Sequence, residues 1–206
     1  MKANAYLTLA LLAALLVACS GGGGGEELPW SEEFSEPGAW QAETDAAADV
    51  VIQEGVLRVY VAFANQLAWA TAEKDLGDFH LAVDATQVAG PDDNEYGVLV
   101  RLQDAANFYR FSISGDGYFQ VSKFEDGEPT YLGGRWMPSD LINQGQATNV
   151  IEVICQGSTF TFLVNGQQLA QVEDATFAHG DIGLYVGTFS MPGAEVHFDN
   201  LHVAAP

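Results

Sequence analysis

The chain has 206 residues, with 28 Asp and Glu against seven Lys and Arg and a net charge of −21. That balance excludes DNA and RNA as partners, because their binding rests on Lys and Arg neutralising phosphate, and it disfavours adhesion to anionic headgroups. The cysteines are Cys19 and Cys155 alone.

The chain opens with Lys2 and an apolar run at 7–17. That run is shorter than the roughly 20 apolar residues that span a bilayer and fits the hydrophobic region of a secretory signal. It ends in Leu16-Val17-Ala18-Cys19, which resembles a bacterial lipobox. The motif implies a signal peptide at 1–18, a lipid such as palmitate on Cys19, and attachment to the membrane through that lipid. An ordinary secretory signal that happens to contain a cysteine is the plainer alternative. Five consecutive glycines then make 19–29 a flexible tether. A single folded domain is expected over 30–206, on the extracytoplasmic side of the cell envelope. Loss of Lys2 with the leader brings the net charge to −22. With Cys19 acylated no internal disulfide forms, and Cys155 reads as a small buried hydrophobe.

Beyond the tether, helical periodicity is almost absent, and short alternating runs are separated by turn residues. Strands are predicted at 50–53, 56–62, 66–73, 79–88, 96–103, 108–114, 118–123, 150–155, 159–164, 168–172, 181–188 and 195–203. Asn165-Gly166 is the strongest hairpin signal, because both residues tolerate positive φ. One helical turn is expected at 138–142. Such a count in two facing antiparallel sheets predicts an all-β jelly-roll sandwich.

The succession EEFSEPGAW, EGVLRVYV, DFHLAVDA, YGVLVRLQDAANFYRFSISGDGYF, NVIEVICQGSTFTFLVNGQQLAQV, GDIGLYVG and EVHFDNLHV resembles the concanavalin A-like lectin/glucanase superfamily. It is most similar to the laminin-G-like branch that includes the 3-keto-disaccharide hydrolases. The resemblance covers residues 30–204 and implies the architecture; activity lives in grafted sites.

Retaining glycosidases place two carboxylates about 5 Å apart, and glucanases of this superfamily carry them on one strand as E-x-D-x-E. No such motif occurs: Asp84 and Glu152 each stand alone in their strands. The four histidines have no zinc spacing. The loop Asp92-Asp93-Asn94-Glu95 offers four oxygen-bearing side chains of the kind calcium takes, and a loop kept soluble by charge accounts for it as well. The resemblance to jelly-roll carbohydrate-binding modules implies a second calcium clamp, formed by Glu33, Asp199 and Asn200 at the two ends of the domain.

Strand parity gives a further candidate. Phe108, Arg110 and Ser112 share one face, opposite Tyr109, Phe111 and Ile113. In the preceding strand Tyr96, Val98, Val100 and Leu102 form the apolar face, with Gly97, Leu99 and Arg101 opposite. If these strands pair, Arg101 and Arg110 lie side by side. With Trp69, Tyr118 and Trp136 they would line a concave face able to hold a carbohydrate or surface glycan. The competing account pairs Arg101 with a carboxylate and buries the tryptophans, as expected for Trp30 and Trp40. Three functions therefore stand open. They are a lipid-anchored glycan-binding module, a glycoside hydrolase of the 3-keto-disaccharide hydrolase type, and a non-catalytic structural or protein-binding surface module.

Overall fold

The computed structural model describes residues 28–36, 40–42 and 45–206. The expected leader, the lipobox-like residues 16–19 and the glycine run lie outside these residues. Sixteen strands form among the described residues: β1 (Trp30–Glu32), β2 (Gln41–Ala42), β3 (Ala48–Gln53), β4 (Val56–Val61), β5 (Leu67–Thr71), β6 (Phe79–Ala89), β7 (Asn94–Asp104) and β8 (Asn107–Ile113). They continue as β9 (Tyr118–Glu125), β10 (Glu128–Tyr131), β11 (Met137–Pro138), β12 (Thr148–Gln156), β13 (Thr159–Val164), β14 (Gln167–Glu173), β15 (Asp181–Thr188) and β16 (Ala194–Ala204).

One antiparallel sheet runs β14-β13-β12-β6-β16-β4-β3, with β1 also on β16. The other runs β10-β9-β8-β7-β15-β5-β2, with β11 also on β9. The result is the all-β jelly-roll sandwich that the alternating sequence predicts. The expected helical turn at 138–142 does not form. Met137 and Pro138 pair with Phe119 and Tyr118 of β9, and the Leu141 N–H then bonds the Ser139 hydroxyl at 3.3 Å, a local bond that competes with helix.

Alternation fixes which side chains meet between the sheets. Tyr109, Phe111 and Ile113 of β8 face Phe160 and Phe162 of β13, with ring centroids 4.5 Å apart for Tyr109 and Phe160 and 5.4 Å for Phe111 and Phe162. All five are fully buried, and each ring taken from water contributes about 2–3 kcal/mol. Cys155 fills the same core and is closed to solvent, and that burial raises its thiol pKa far above the ordinary value. It is the buried hydrophobe expected.

The alternation breaks toward the C-terminal end of β7. Register between β7 and β8 shifts between Val100 and Asp104, and Arg101 takes a left-handed φ of 49°. A bulge of this kind moves every later side chain to the other face. Arg101 turns inward over the Phe160 ring, 4.9 Å from its centroid. Leu102 turns outward to join Leu99, Phe108 and Tyr185.

Candidate functional site

The outer face of the second sheet, the one turned away from the core, is built from the residues between the core positions. One row crosses it through five neighbouring strands: Trp69, Tyr185, Gly97, Ser112 and Gln120. Next to it runs Gly183, Leu99, Arg110 and Ser122. Gly97 is obligatory here, since a Cβ would stand 2.0 Å from the Phe111 carbonyl oxygen. Arg110, one row along, reaches Glu95. Gly187 leaves room for Glu95; a Cβ there would meet Glu95 Cγ at 2.7 Å.

Arg110 lies between two rings, with its guanidinium 4.7 Å from the Phe124 centroid and 5.6 Å from that of Tyr185. Its Nη1 donates to Glu95 Oε1 at 3.4 Å, and the two side chains are only 13% and 9% exposed. Beneath them the Tyr185 hydroxyl donates to Ser112 Oγ. Burial raises the Glu95 carboxyl pKa, with Arg110 and the Tyr185 hydroxyl opposing it. Glu95 Oε2, Arg110 Nε and Ser122 Oγ make no hydrogen bond. The centre of this face is thus a sealed polar cluster with unused bonding capacity.

At the end of the face where β8 turns into β9, the surface opens. A pocket of about 180 Å³ is lined by Asp93, Ser114, Asp116, Tyr118, Trp136 and Phe189. Local chemistry sets each of them. The turn closes with Gly117 N–H donating to the Ser114 carbonyl at 3.0 Å, while Asp116 N–H donates to the Asp92 carbonyl at 3.0 Å. The Ser114 hydroxyl donates to the Asp116 carboxylate. Buried Asn94 ties the two loops together: its amide donates to Gln87 at 2.9 Å and to the Pro91 carbonyl at 2.8 Å, and its oxygen accepts from Gly115 N–H at 3.1 Å. Trp136 meets Phe189 edge to face, at 5.8 Å between centroids and 84° between planes.

Trp69 and Arg110 thus stand on the face expected for them, and Tyr118 and Trp136 reach the pocket at its end. Arg101 does not join them. Its side chain is 1% exposed and bonds Asp78 at 3.2 Å and the Phe177 carbonyl at 2.9 Å, because the bulge inverts its parity. The calcium loop is also dispersed. Asn94 is a staple, Glu95 faces Arg110, Asp93 lines the pocket and Asp92 is exposed. Among the described residues no three His, Cys, Asp or Glu side chains gather to hold a metal ion. Of the second clamp, Asn200 is turned to Asp84, with its amide 2.8 Å from Oδ2. Sequence reasoning missed Phe189, Ser114 and Asp116. Phe189 continues the two-residue step from Tyr185 through Gly187, a signal that was available.

The chain matches the model of the 3-keto-alpha-glucoside-1,2-lyase-like domain over residues 29–204. The fold is similar to carbohydrate binding module CBM66 from Bacillus subtilis, at 18% identity and a TM-score of 0.64, covering 82% of this chain and 97% of that one. It is similar also to a Bacillus licheniformis beta-glucanase, at 11% identity and a TM-score of 0.66, covering 90% of this chain and 100% of that one. At such identities the likeness establishes the jelly-roll fold. No curated protein sequence matches the chain.

Proposed function

Since the chain belongs to the 3-keto-alpha-glucoside-1,2-lyase-like domain family over residues 29–204, we propose that it binds a carbohydrate in the pocket at the end of the second sheet's outer face. One observation carries this reading: Tyr118, Trp136 and Phe189 line the same pocket as Asp93, Ser114 and Asp116. Sugars present C–H faces that pack on rings and hydroxyls that need fixed hydrogen-bonding partners, and pockets for small ligands combine the two. Tyr118 is 39% exposed, so its ring is already available.

The family description supports a second reading, an enzyme acting on glucosides. Glu95 favours it, since burial raises its pKa as general acids require. Against it, the carboxyl is sealed and Oε2 is closed to solvent. The lipobox at Cys19 supports attachment to the cell envelope, facing outward; a chain recovered from membranes with no acyl group on Cys19 would overturn that part.

Calorimetric titration with a panel of oligosaccharides tests the main reading. Binding should be lost or fall at least tenfold in Trp136→Ala with the melting temperature unchanged, and no glycan should be turned over. Equal binding by the variant removes the pocket as the site, and turnover lost in Glu95→Gln would establish the enzyme instead.

A further inference from the structure

The pocket carries a charge that the protein leaves uncompensated. Asp93 and Asp116 both line it, and among the described residues neither is paired with a Lys, Arg or His. Every described cation is engaged elsewhere. Arg58 is held by Asp49 and Glu195, Arg101 by Asp78, and Arg110 by Glu95. Lys123 meets Glu125 and Asp174, Lys74 lies over Trp30, and the Arg135 guanidinium lies 4.8 Å from the centroid of the Tyr131 ring.

The other walls of the pocket have the same electrostatic sign. The faces of Trp, Tyr and Phe rings are electron-rich and attract a cation, Trp most strongly, and desolvation strengthens the attraction. Tyr118, Trp136 and Phe189 line the same pocket as the two carboxylates. A neutral sugar seated there would strip water from two anions and return no charge, and an acidic sugar would be repelled outright. A ligand carrying an ammonium group meets rings and carboxylates that all favour it.

We propose that the preferred ligand is a sugar with a free, protonated amine: a hexosamine unit that lacks its N-acetyl group. This rests on the carbohydrate reading above and specifies its chemical class. The ammonium sits between Asp93 and Asp116 against the ring of Trp136, and the sugar's C–H face packs on the remaining aromatics.

The experiment titrates the purified chain with glucosamine, N-acetylglucosamine and glucose trisaccharides at pH 6 and physiological salt. The glucosamine trimer should bind at least tenfold more tightly than either neutral trimer. In Asp93→Asn/Asp116→Asn that preference should shrink to within about twofold. A charge-matched control, Asp126→Asn/Glu128→Gln, changes two exposed acids in the β9–β10 turn and should leave the preference intact, which separates the pocket from the general pull of a chain at −21. Equal binding of all three trimers, or equal loss of preference in the control variant, overturns the amine inference and leaves the carbohydrate reading standing. No binding by any trimer overturns both.

Discussion

The two ends of β7 treat charge in opposite ways. At its C-terminal end Arg101 bonds Asp78 and the Phe177 carbonyl. Beside it the Tyr109 hydroxyl donates to Asp174 at 2.6 Å and accepts from Phe177 N–H at 3.2 Å. Lys123 closes the network on Asp174 at 3.4 Å. At the N-terminal end, roughly 25 Å away along the strand, Asp93 and Asp116 meet no cation and Tyr118 stands 39% exposed. Charges that hold the fold together have their partners within the chain. Those in the pocket meet no cation among the described residues, and the contrast separates a structural end from the proposed binding end.

The largest effect should come from the structural end. Arg101→Met keeps the apolar stem over Phe160 but deletes the guanidinium, leaving the Phe177 carbonyl without its donor. An unsatisfied buried acceptor costs about 1–3 kcal/mol, and the half-exposed Asp78 also loses its partner, so a loss of about 3 kcal/mol is expected. For a domain of this size that lowers the melting temperature by about 10 °C. A fall of less than 2–3 °C in thermal unfolding would mean that this end is not held by its charge, and the contrast would collapse.

Arg110 lies between the two ends and tests where the boundary falls. Its pair with Glu95 is largely buried. Arg110→Ala should therefore cost about 2 kcal/mol at neutral pH, mostly by leaving the Glu95 carboxylate buried alone. Arg110 is what opposes the upward pull of burial on that carboxyl, so its pKa rises further in the variant. The penalty should then shrink at acid pH, where Glu95 takes up a proton, and Arg110→Ala/Glu95→Gln should recover at least half of it. Urea unfolding of the three proteins at two pH values decides. A double variant no more stable than the single one would show that the rings of Phe124 and Tyr185, rather than the ion pair, hold Arg110.

The architecture was legible because it rests on period-two alternation and on turns such as Asn165-Gly166, which takes φ of 52° and 75° as the dipeptide suggests. Short pieces escaped for physical reasons. Glu128–Tyr131 contains a proline and pairs only along an edge, while Gln41–Ala42 and Met137–Pro138 are too brief to alternate. The site was half legible. Parity placed Trp69 and Arg110 correctly and failed at Arg101, because nothing in the sequence announces a left-handed arginine and the bulge it creates. Asp116 reads as an ordinary solvated turn acid until the fold brings Trp136 across from it.

The smallest effect comes from the acid that anchors the structural end. Burial alone would raise the Asp174 carboxyl, but the Tyr109 hydroxyl, the Thr176 contacts and Lys123 outweigh it and hold the pKa down to about 2, from an ordinary 3.8. Tyr109 stays a neutral donor throughout, because burial first, and then Asp174, push its phenol up to about 12. The sign follows from linkage: a folded state that prefers the carboxylate gains stability above pH 4 and loses it as pH falls toward 2. Asp174 retains some contact with water, so screening reduces its share to about 1 kcal/mol. Asp174→Asn should accordingly be less stable than the wild type at pH 6 by about that amount, and the two curves should converge by pH 2. Asp93→Asn and Asp116→Asn, which remove no ion pair among the described residues, provide the contrast and should leave stability at pH 6 within about 0.5 kcal/mol of the wild type. If unfolding of these pocket variants instead follows the Asp174→Asn profile, the pocket acids are structural too, and the two ends of β7 do not differ in kind.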